Sequence, residues 1–330
     1  MSESDLKIAV VGAGAWGTAL AQMFSKGGRD VLIWAREPEV VEAINQHHEN
    51  TLFLPNIPLS ETLRATGDLT EAIQRDIILM VTPAQHMRAT LETIKDNLRS
   101  ETILVLCSKG IELNTGLLLS EVCTQVIPDT KIAVLTGPTF ASEIAAGLPA
   151  AATIGVSDDQ TGKTLQDALG VKGFRPYVSD DIIGVQIGGA LKNVIAIACG
   201  VVYGRKLGES ARAALLTRGV AEIARLAKAM GAQADTLMGL CGIGDLMLTA
   251  SSMQSRNFSL GAALGEGKTM EEILSQRSAV TEGVHTARAA LNLAEKYGVE
   301  MPITQAVYQC LHEDLPVDQA IENMLTRPLK

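Results

Sequence analysis

The sequence predicts an α/β protein, in which an N-terminal Rossmann-like doubly wound sheet precedes an all-helical C-terminal domain. A glycine-rich turn follows the first apolar run of the chain. Short runs rich in β-branched residues then alternate with helical patterns up to about residue 178, which is typical of parallel β-α-β units. Beyond Asp181 such runs are rare and long helical patterns replace them. With 330 residues the chain exceeds one compact core, so we expect domains 1–181 and 182–330.

Individual elements follow from the same patterns. Eight apolar runs are predicted to be strands, at 7–11, 30–34, 63–66, 76–81, 102–106, 131–136, 151–156 and 173–178. Long helical patterns of the second half include 212–230, 282–297, 302–313 and 317–326.

The first turn has the spacing G-x-G-x-x-G, formed by Gly12, Gly14 and Gly17 between an apolar run and a helical pattern. In that context Gly12 permits the tight turn, Gly14 lets backbone N–H groups approach a pyrophosphate, and Gly17 allows close packing of helix on strand. The alternative is an ordinary strand-to-helix turn that happens to be rich in glycine. We interpret 1–181 as a dinucleotide-binding domain.

The end of the second predicted strand bears on the choice of cofactor. Arg36 and Glu37 follow this strand, about 20 residues past the glycines, where a Rossmann fold meets the adenosine ribose. A carboxylate there favours NAD, whereas an arginine pairs with the 2′-phosphate of NADP. Because Arg36 comes first, we expect NADP to be preferred and NAD tolerated. In the alternative interpretation the two residues are a solvated loop pair.

Composition narrows the classes of function. Hydrophobic residues make up 47% and charged residues 20%, as in an ordinary globular protein, and the net charge of −9 argues against a nucleic-acid surface. The polar, acidic start resembles no secretory signal, and the five scattered cysteines indicate reduced thiols, so we expect a cytoplasmic protein. The five histidines form no metal-binding array, and no metal is predicted. The stretch 182–203 is long enough to cross a bilayer, but Lys192 and Asn193 at its centre indicate a buried helix instead.

Lys192 is the predicted proton-transfer residue. It lies on a predicted apolar helix with few charges near it in sequence, and such surroundings lower the pKa of a lysine towards the working pH. A lysine tuned in this way can return a proton to a carbonyl oxygen when hydride reaches the carbon. The alternative is a lysine that extends to the surface or pairs with a buried carboxylate.

Further polar motifs supply what a phosphorylated ketone needs. Lys109 follows the fifth predicted strand, at the edge where open α/β sheets bind ligands. Asp245 lies in a glycine-rich turn, and Ser255-Arg256-Asn257 opens a helical pattern. A forked guanidinium at a helix N-terminus suits a phosphate, although the same triplet is also an ordinary N-cap with a surface arginine.

Seven blocks, taken in order, give the chain a specific resemblance. They are GAGAWGTALA (12–21), SKGIE (108–112), LTGPTFA (135–141), GALKN (189–193), GIGDL (242–246), SRN (255–257) and TEGV (281–284). They resemble the signature blocks of bacterial NAD(P)-dependent glycerol-3-phosphate dehydrogenases, and the match spans almost the whole chain. The resemblance implies reversible reduction of dihydroxyacetone phosphate to sn-glycerol 3-phosphate, which supplies glycerophospholipid synthesis, with 182–330 as the helical substrate-binding and catalytic domain.

The resemblance also implies roles for individual residues. Lys192, Lys109 and Asp245 match catalytic positions, with Lys192 as the general acid/base. The positions that match cofactor contacts are Gly12, Gly14, Ala15, Trp16, Gly17, Arg36, Lys109, Ala141, Arg256, Val280 and Glu282. The positions that match substrate contacts are Lys109, Gly137, Thr139, Lys192, Asp245, Ser255, Arg256 and Asn257. The chain departs from the pattern at Ala15, where relatives often have serine, and position 36 varies among them, so the choice between NADP and NAD is the least constrained inference.

Two other functions remain open at this stage. A related two-domain dehydrogenase acting on a hydroxy acid would turn over substrates without a phosphate. A nicotinamide-sensing protein would bind the cofactor without turnover and would have little use for a buried Lys192. A homodimer is the default expectation for a protein of this type.

Overall fold

A computed structural model describes residues 6–275 and 281–328. The chain forms two compact units: 1–108 together with 119–182, and 109–118 together with 183–330. The short segment Lys109–Leu118 thus leaves the first unit after its fifth strand and packs with the second. The sequence predicted a single domain boundary between 181 and 182 and did not anticipate that Lys109–Leu118 would pack with the second unit. That domain boundary stays a prediction.

The first unit is built on one eight-stranded sheet with the order β3-β2-β1-β4-β5-β6-β7-β8. All eight predicted strands are present. Their bounds are β1 Ile8–Val11, β2 Val31–Trp34, β3 Arg64–Thr66, β4 Ile77–Met80, β5 Ile103–Leu106, β6 Lys131–Thr136, β7 Ala150–Val156 and β8 Phe174–Ser179. The order of the first six strands is that of a dinucleotide-binding Rossmann fold, which confirms the predicted fold class. Every residue of β1, β4 and β5 is buried, as expected for central strands covered on both faces.

One pairing differs from the parallel arrangement that the alternating pattern predicted. β7 runs antiparallel to β6, with Ala133 opposite Val156, whereas β8 is parallel to β7. The helix between β6 and β7 is only five residues long, Ala141–Ala145. It spans about 7.5 Å, whereas a six-residue strand such as β6 spans about 20 Å. The connection therefore does not return the chain to the start of β6, and β7 runs back along it.

Seven α-helices belong to the part of the first unit that the structure describes. They are α1 Ala15–Lys26, α2 Pro38–Glu42, α3 Leu69–Ala72, α4 Met87–Ile94, α5 Leu119–Val126, α6 Ala141–Ala145 and α7 Asp159–Leu169. A π-helical turn, Ala43–His47, continues α2, and single 3-10 turns flank α4 at Ala84–His86 and Lys95–Asn97.

The described residues of the second unit beyond 182 form helices and no strands, as predicted, whereas its segment Lys109–Leu118 forms an isolated antiparallel bridge between Ile111 and Leu118. Its helices are α8 Ile182–Gly204, α9 Glu209–Ala229, α10 Ala234–Leu237, α11 Asp245–Thr249, α12 Arg256–Gly265, α13 Met270–Ser275, α14 Glu282–Lys296, α15 Pro302–His312 and α16 Val317–Leu325. A π-helical turn, Leu240–Gly244, leads directly into α11.

The centre of this unit is α8. Among the described residues it is the one helix whose length and apolar composition would suit a membrane span, and 89% of its most apolar window is buried inside the protein. Glycines let α12 approach it closely: a Cβ on Gly261 would lie 1.9 Å from the carbonyl oxygen of Ile197, and one on Gly200 would lie 2.1 Å from that of Phe258. This contact fixes the polar residues of α8 and α12 relative to each other.

Candidate active site

The glycine-rich turn after β1 has the backbone that the glycine spacing predicted. Gly12 follows β1 with a φ of +117°, a conformation that favours glycine. A Cβ on Gly17 would lie 1.8 Å from the carbonyl oxygen of Gly12, so no larger residue fits there without moving the turn. β1 lies between β2 and β4 in the sheet, where the strand order reverses. Ligands of open α/β sheets bind at such a switch point.

The residues of this turn fit a dinucleotide. Space is open around Gly14, because a Cβ placed there would meet no atom within 4 Å. Gly14 is the N-cap of α1, a helix of 12 residues, and the first N–H groups of a helix lack intrahelical partners. Ala15 and Trp16 begin that helix, and Trp16 packs against the buried core cluster that contains Leu54. Open space beside a helix N-terminus suits the pyrophosphate of NAD(P).

Arg36 lies just beyond the end of β2, at the position that the sequence predicts for contact with the adenosine ribose. Its side chain is 83% exposed, and a guanidinium nitrogen lies 2.9 Å from Oε1 of Glu37. The loop pair considered in the sequence is therefore formed. An exposed ion pair contributes little to stability, so the guanidinium is available to a stronger anionic partner.

The carboxyl ends of β4, β5 and β6 lie at one edge, because these strands are parallel neighbours. Ser108 after β5 donates a hydrogen bond of 3.2 Å to the carbonyl of Met80. Gly137 after β6 packs tightly, since its Cβ would lie 2.6 Å from Cα of Ala152. Thr139 donates to the carbonyl of Gly137 at 3.1 Å. Gly137 and Thr139 therefore fix the conformation of the loop between β6 and α6, and α6 begins at Ala141.

The second unit brings together the three residues predicted to be catalytic. Asp245, at the start of α11, is fully buried, and its two carboxylate oxygens hold two lysines. Lys192 of α8 donates to Oδ1, and Lys109 donates to Oδ2 at 2.8 Å. Lys192 is 5% exposed, so the apolar helix does bury it, and it pairs with a buried carboxylate as the alternative interpretation allowed.

The electrostatics of this cluster separate the two lysines. Burial lowers the pKa of Lys192 to about 7, and the positive charge of Lys109 acts in the same direction while Asp245 opposes it. Burial also acts to lower the pKa of Lys109, but Asp245 outweighs it, with a smaller contribution from Glu282, and the pKa is raised. Lys109 therefore stays charged near neutral pH, whereas Lys192 gains and loses its proton there.

Sequence reasoning missed one member of the cluster. The hydroxyl of Thr249 lies one turn after Asp245 on α11 and accepts a hydrogen bond of 2.8 Å from Nζ of Lys192. Its spacing of four residues from Asp245 is the available signal, because residues four apart share a helix face.

The Ser255-Arg256-Asn257 triplet opens α12 as predicted. Ser255 is the N-cap, and its Oγ accepts the N–H of Phe258 at 3.2 Å. Asn257 is buried, donates to Oδ1 of Asn193 at 2.9 Å, and accepts the N–H of Gly283 at 3.1 Å. Asn193 was within a recognised block without an assigned role. The two asparagines join α8, α12 and α14, whereas the side chain of Arg256 is exposed.

Glu282, the first residue of α14, interacts electrostatically with both lysines of this cluster. Burial raises its pKa to about 7, opposed by the charges of Arg256, Lys109 and Lys192. Val280, the remaining predicted cofactor contact, lies outside the described residues.

Two family models cover most of the chain. One describes the NAD-dependent glycerol-3-phosphate dehydrogenase N-terminus and matches residues 7–162, and the other describes the C-terminus of the same enzymes and matches residues 181–322. The chain belongs to the NAD-dependent glycerol-3-phosphate dehydrogenase family.

Individual members of this family are similar over nearly the full length. Glycerol-3-phosphate dehydrogenase [NAD(P)+] of Parvibaculum lavamentivorans is 55% identical over 98% of this chain and 97% of its own length. The enzyme of the same name from Rhodospirillum rubrum is 53% identical over 98% of this chain and 93% of its own length. The crystal structure of glycerol-3-phosphate dehydrogenase from Coxiella burnetii superposes with a TM-score of 0.93 at 38% identity, covering 98% of this chain and 99% of that one.

Proposed function

We propose that this member of the glycerol-3-phosphate dehydrogenase family catalyses the NAD(P)H-dependent, reversible reduction of dihydroxyacetone phosphate to sn-glycerol 3-phosphate and supplies glycerophospholipid synthesis. The observation that carries the proposal is the buried cluster in which Asp245 holds both Lys192 and Lys109. Near-complete coverage by glycerol-3-phosphate dehydrogenases about half identical in sequence supports the same reaction.

Lys192 is the general acid in this proposal. Reduced NAD(P), when bound, supplies a hydride for C2 of the ketone. The Lys192 ammonium group donates a proton to the oxygen that becomes the alcohol, and in the reverse direction the neutral amine accepts that proton. A pKa of about 7 suits both directions, because each protonation state is populated near neutral pH.

Lys109 and Asp245 determine the electrostatic environment of the Lys192 proton transfer. Lys109 keeps its positive charge and stabilises negative charge that develops on the substrate oxygen. Asp245 fixes both ammonium groups and offsets part of their mutual repulsion, so that the two can stay 2.8 Å or less from one carboxylate. We assign the substrate contacts of the first unit to Gly137 and Thr139.

The phosphate of the substrate is assigned to the start of α12. Arg256 offers a forked guanidinium, and the Ser255 hydroxyl, whose oxygen accepts the Phe258 N–H, retains its own proton for donation. Asn257 is held in place by Asn193 and Gly283, which orients the first turn of the helix. Binding energy from this remote group is used to position the carbonyl carbon.

The cofactor is assigned to the glycine turn and to residues near the cluster. Gly12, Gly14 and Gly17 would hold the pyrophosphate with Ala15 and Trp16. We propose that Arg36 favours NADP by binding its 2′-phosphate. The remaining cofactor contacts are assigned to Ala141, Arg256, Glu282 and Lys109, and to Val280.

Two further properties belong to the proposal. We infer a cytoplasmic enzyme, from the sequence features given above. We also infer a homodimer, the commonest symmetric assembly, which sedimentation of the purified protein tests directly.

The test is oxidation of NADPH and, separately, NADH by the purified protein with dihydroxyacetone phosphate, followed by the loss of reduced-nicotinamide absorbance. We expect turnover with both cofactors and a higher rate with NADPH. Dihydroxyacetone without its phosphate and a 2-keto acid are the controls. Turnover of the keto acid alone would favour a hydroxy-acid dehydrogenase, and cofactor binding without any turnover would favour a sensor.

A further inference from the structure

Asn50 is a fully buried polar residue in the segment that connects α2 and its π-helical turn to β3. Its amide Nδ2 donates to the carbonyl oxygen of Ala13 at 2.9 Å and to the hydroxyl of Thr18 at 2.8 Å. That hydroxyl in turn donates to the same Ala13 carbonyl at 3.1 Å. Two buried donors thus converge on the Ala13 carbonyl within the glycine turn, and one of them, the Asn50 amide, comes from 37 positions away in the sequence.

The direction of this carbonyl fixes the direction of the next N–H group. A trans peptide unit is planar, and its C=O and N–H point to opposite sides. With the Ala13 oxygen held towards Asn50 and Thr18, the Gly14 N–H points away from them. The open space around Gly14 makes this the backbone position at which a phosphate can approach closely.

The segment carrying Asn50 is itself anchored. Oδ1 of Asn50 accepts the N–H of Phe53 at 3.2 Å, and the Asn50 carbonyl accepts the N–H of Leu54 at 2.8 Å. Further along, Gln22 of α1 donates to the carbonyl of Pro58 at 3.1 Å and accepts the N–H of Ser60 at 2.6 Å. These hydrogen bonds hold the segment around Asn50 in place, and the Asn50 amide can therefore orient the Ala13–Gly14 peptide.

We propose that Asn50 is a positioning residue for the dinucleotide site, which holds the Ala13–Gly14 peptide with its N–H turned towards the cofactor phosphates. This inference rests on the proposed cofactor site and adds a residue that touches neither cofactor nor substrate. Without the amide donor only the Thr18 hydroxyl holds the Ala13 carbonyl, so the peptide is less firmly oriented, and a carbonyl oxygen turned towards the phosphates would repel them.

Two pairs of matched variants test the proposal. Asn50→Asp keeps the acceptor for Phe53 but replaces the donor with an oxygen, and Thr18→Val removes the second donor to Ala13. Asn45→Asp is the control for the first, because Asn45 donates to the carbonyl of Ala65 at 2.9 Å and accepts the Ala65 N–H at 2.8 Å, although it is exposed. Thr102→Val is the control for the second, because the buried Thr102 hydroxyl donates to the carbonyl of Arg75 at 3.1 Å, away from the turn.

The readouts are the NADPH dissociation constant by titration calorimetry, the melting temperature of the apoprotein, and kcat with the KM for dihydroxyacetone phosphate at saturating NADPH. We expect Asn50→Asp to weaken NADPH binding about tenfold or more, and Thr18→Val to weaken it less. Both controls should bind NADPH within about twofold of wild type, as expected for changes that leave the turn intact. In the Asn50 and Thr18 variants, kcat and the KM for the ketone should stay close to wild type.

Two results would overturn the inference: NADPH binding by Asn50→Asp within twofold of wild type, or affinity losses that simply follow the fall in melting temperature across all four variants. If Asn50→Asp does not fold, Thr18→Val against Thr102→Val decides in the same way. Wild-type protein that binds NADPH but reduces no ketone would refute the proposed reaction and leave the binding comparison intact. Wild-type protein that binds neither nicotinamide would refute both.

Discussion

Lys109 donates a hydrogen bond of 2.8 Å to Asp245, although 136 positions separate the two residues in the sequence. The segment that begins with Lys109 packs with the helical unit rather than with the sheet from which it emerges. The lysine therefore reaches the one carboxylate that also holds Lys192. A single buried negative charge between two lysines leaves one of them easy to deprotonate, and that property underlies the first two predictions.

The rate of ketone reduction should fall as pH rises through about 7. In the proposed mechanism the Lys192 ammonium group donates the proton, and its population declines above its pKa of about 7. Oxidation of sn-glycerol 3-phosphate needs the neutral amine and should rise over the same range. Profiles of kcat against pH in both directions measure this, and profiles with the same slope in both directions would contradict it.

Replacing the two charged neighbours of Lys192, Asp245 and Lys109, should move the pH midpoint of the reduction rate in opposite directions. Asp245 raises the pKa of Lys192 and the charge of Lys109 lowers it. Asp245→Asn should therefore shift the fall in reduction rate to lower pH, and Lys109→Met should shift it to higher pH, with a lower kcat in both variants. Profiles of kcat against pH at saturating substrates check the two signs, and shifts in the same direction would refute the assignment.

Arg36→Ala should weaken NADPH binding about tenfold and change NADH binding little, because a charge-assisted contact to the 2′-phosphate is lost. Arg99→Ala is the control, since Arg99 is also exposed and pairs with Asp76 at 3.0 Å beside the start of β4. Titration of each protein with both cofactors gives the comparison. Equal NADPH binding by wild type and Arg36→Ala would show that Arg36 only pairs with Glu37.

Local pattern was enough to predict the strands and the burial of Lys192. Runs of β-branched residues specify strands wherever they fall, and the apolar sequence around Lys192 leaves its helix no polar face to expose. The predicted strands position the glycine-rich turn after β1, and the predicted burial of Lys192 is the basis for proposing it as the proton donor.

Pairing between distant segments was not predictable in the same way. The antiparallel return of β7 depends on how far a short connection reaches, and the approach of Lys109 to Asp245 depends on packing of segments far apart in sequence. Asn50 gave no signal either, because its neighbours His48 and Glu49 are typical of a surface turn. Its role follows from contacts with residues that precede it by more than thirty positions.

We expect Glu222 to make the free energy of unfolding depend on pH. This buried carboxylate accepts the N–H groups of Ile303 and Thr304 at 2.9 and 2.8 Å at the start of α15. Burial raises its pKa, although these hydrogen bonds oppose the change. A carboxyl group whose pKa is raised on folding stabilises the protein at low pH and loses that contribution as pH rises.

The melting temperature of wild type relative to Glu222→Gln should therefore fall as pH rises from about 4 towards 8. Scanning calorimetry of both proteins across that range measures the difference. A difference that stays constant or grows with pH would contradict the assigned direction.

The most direct test of the account is reduction of dihydroxyacetone phosphate by Lys192→Ala beside wild type, with the NADPH dissociation constant measured on both. We expect the substitution to lower kcat by about 10²–10⁴ while NADPH binding stays unchanged, because we propose Lys192 as the proton donor and assign it no contact with the cofactor. Near-normal turnover by Lys192→Ala would show that the proton comes from another group, and the buried cluster around Asp245 would then be structural only.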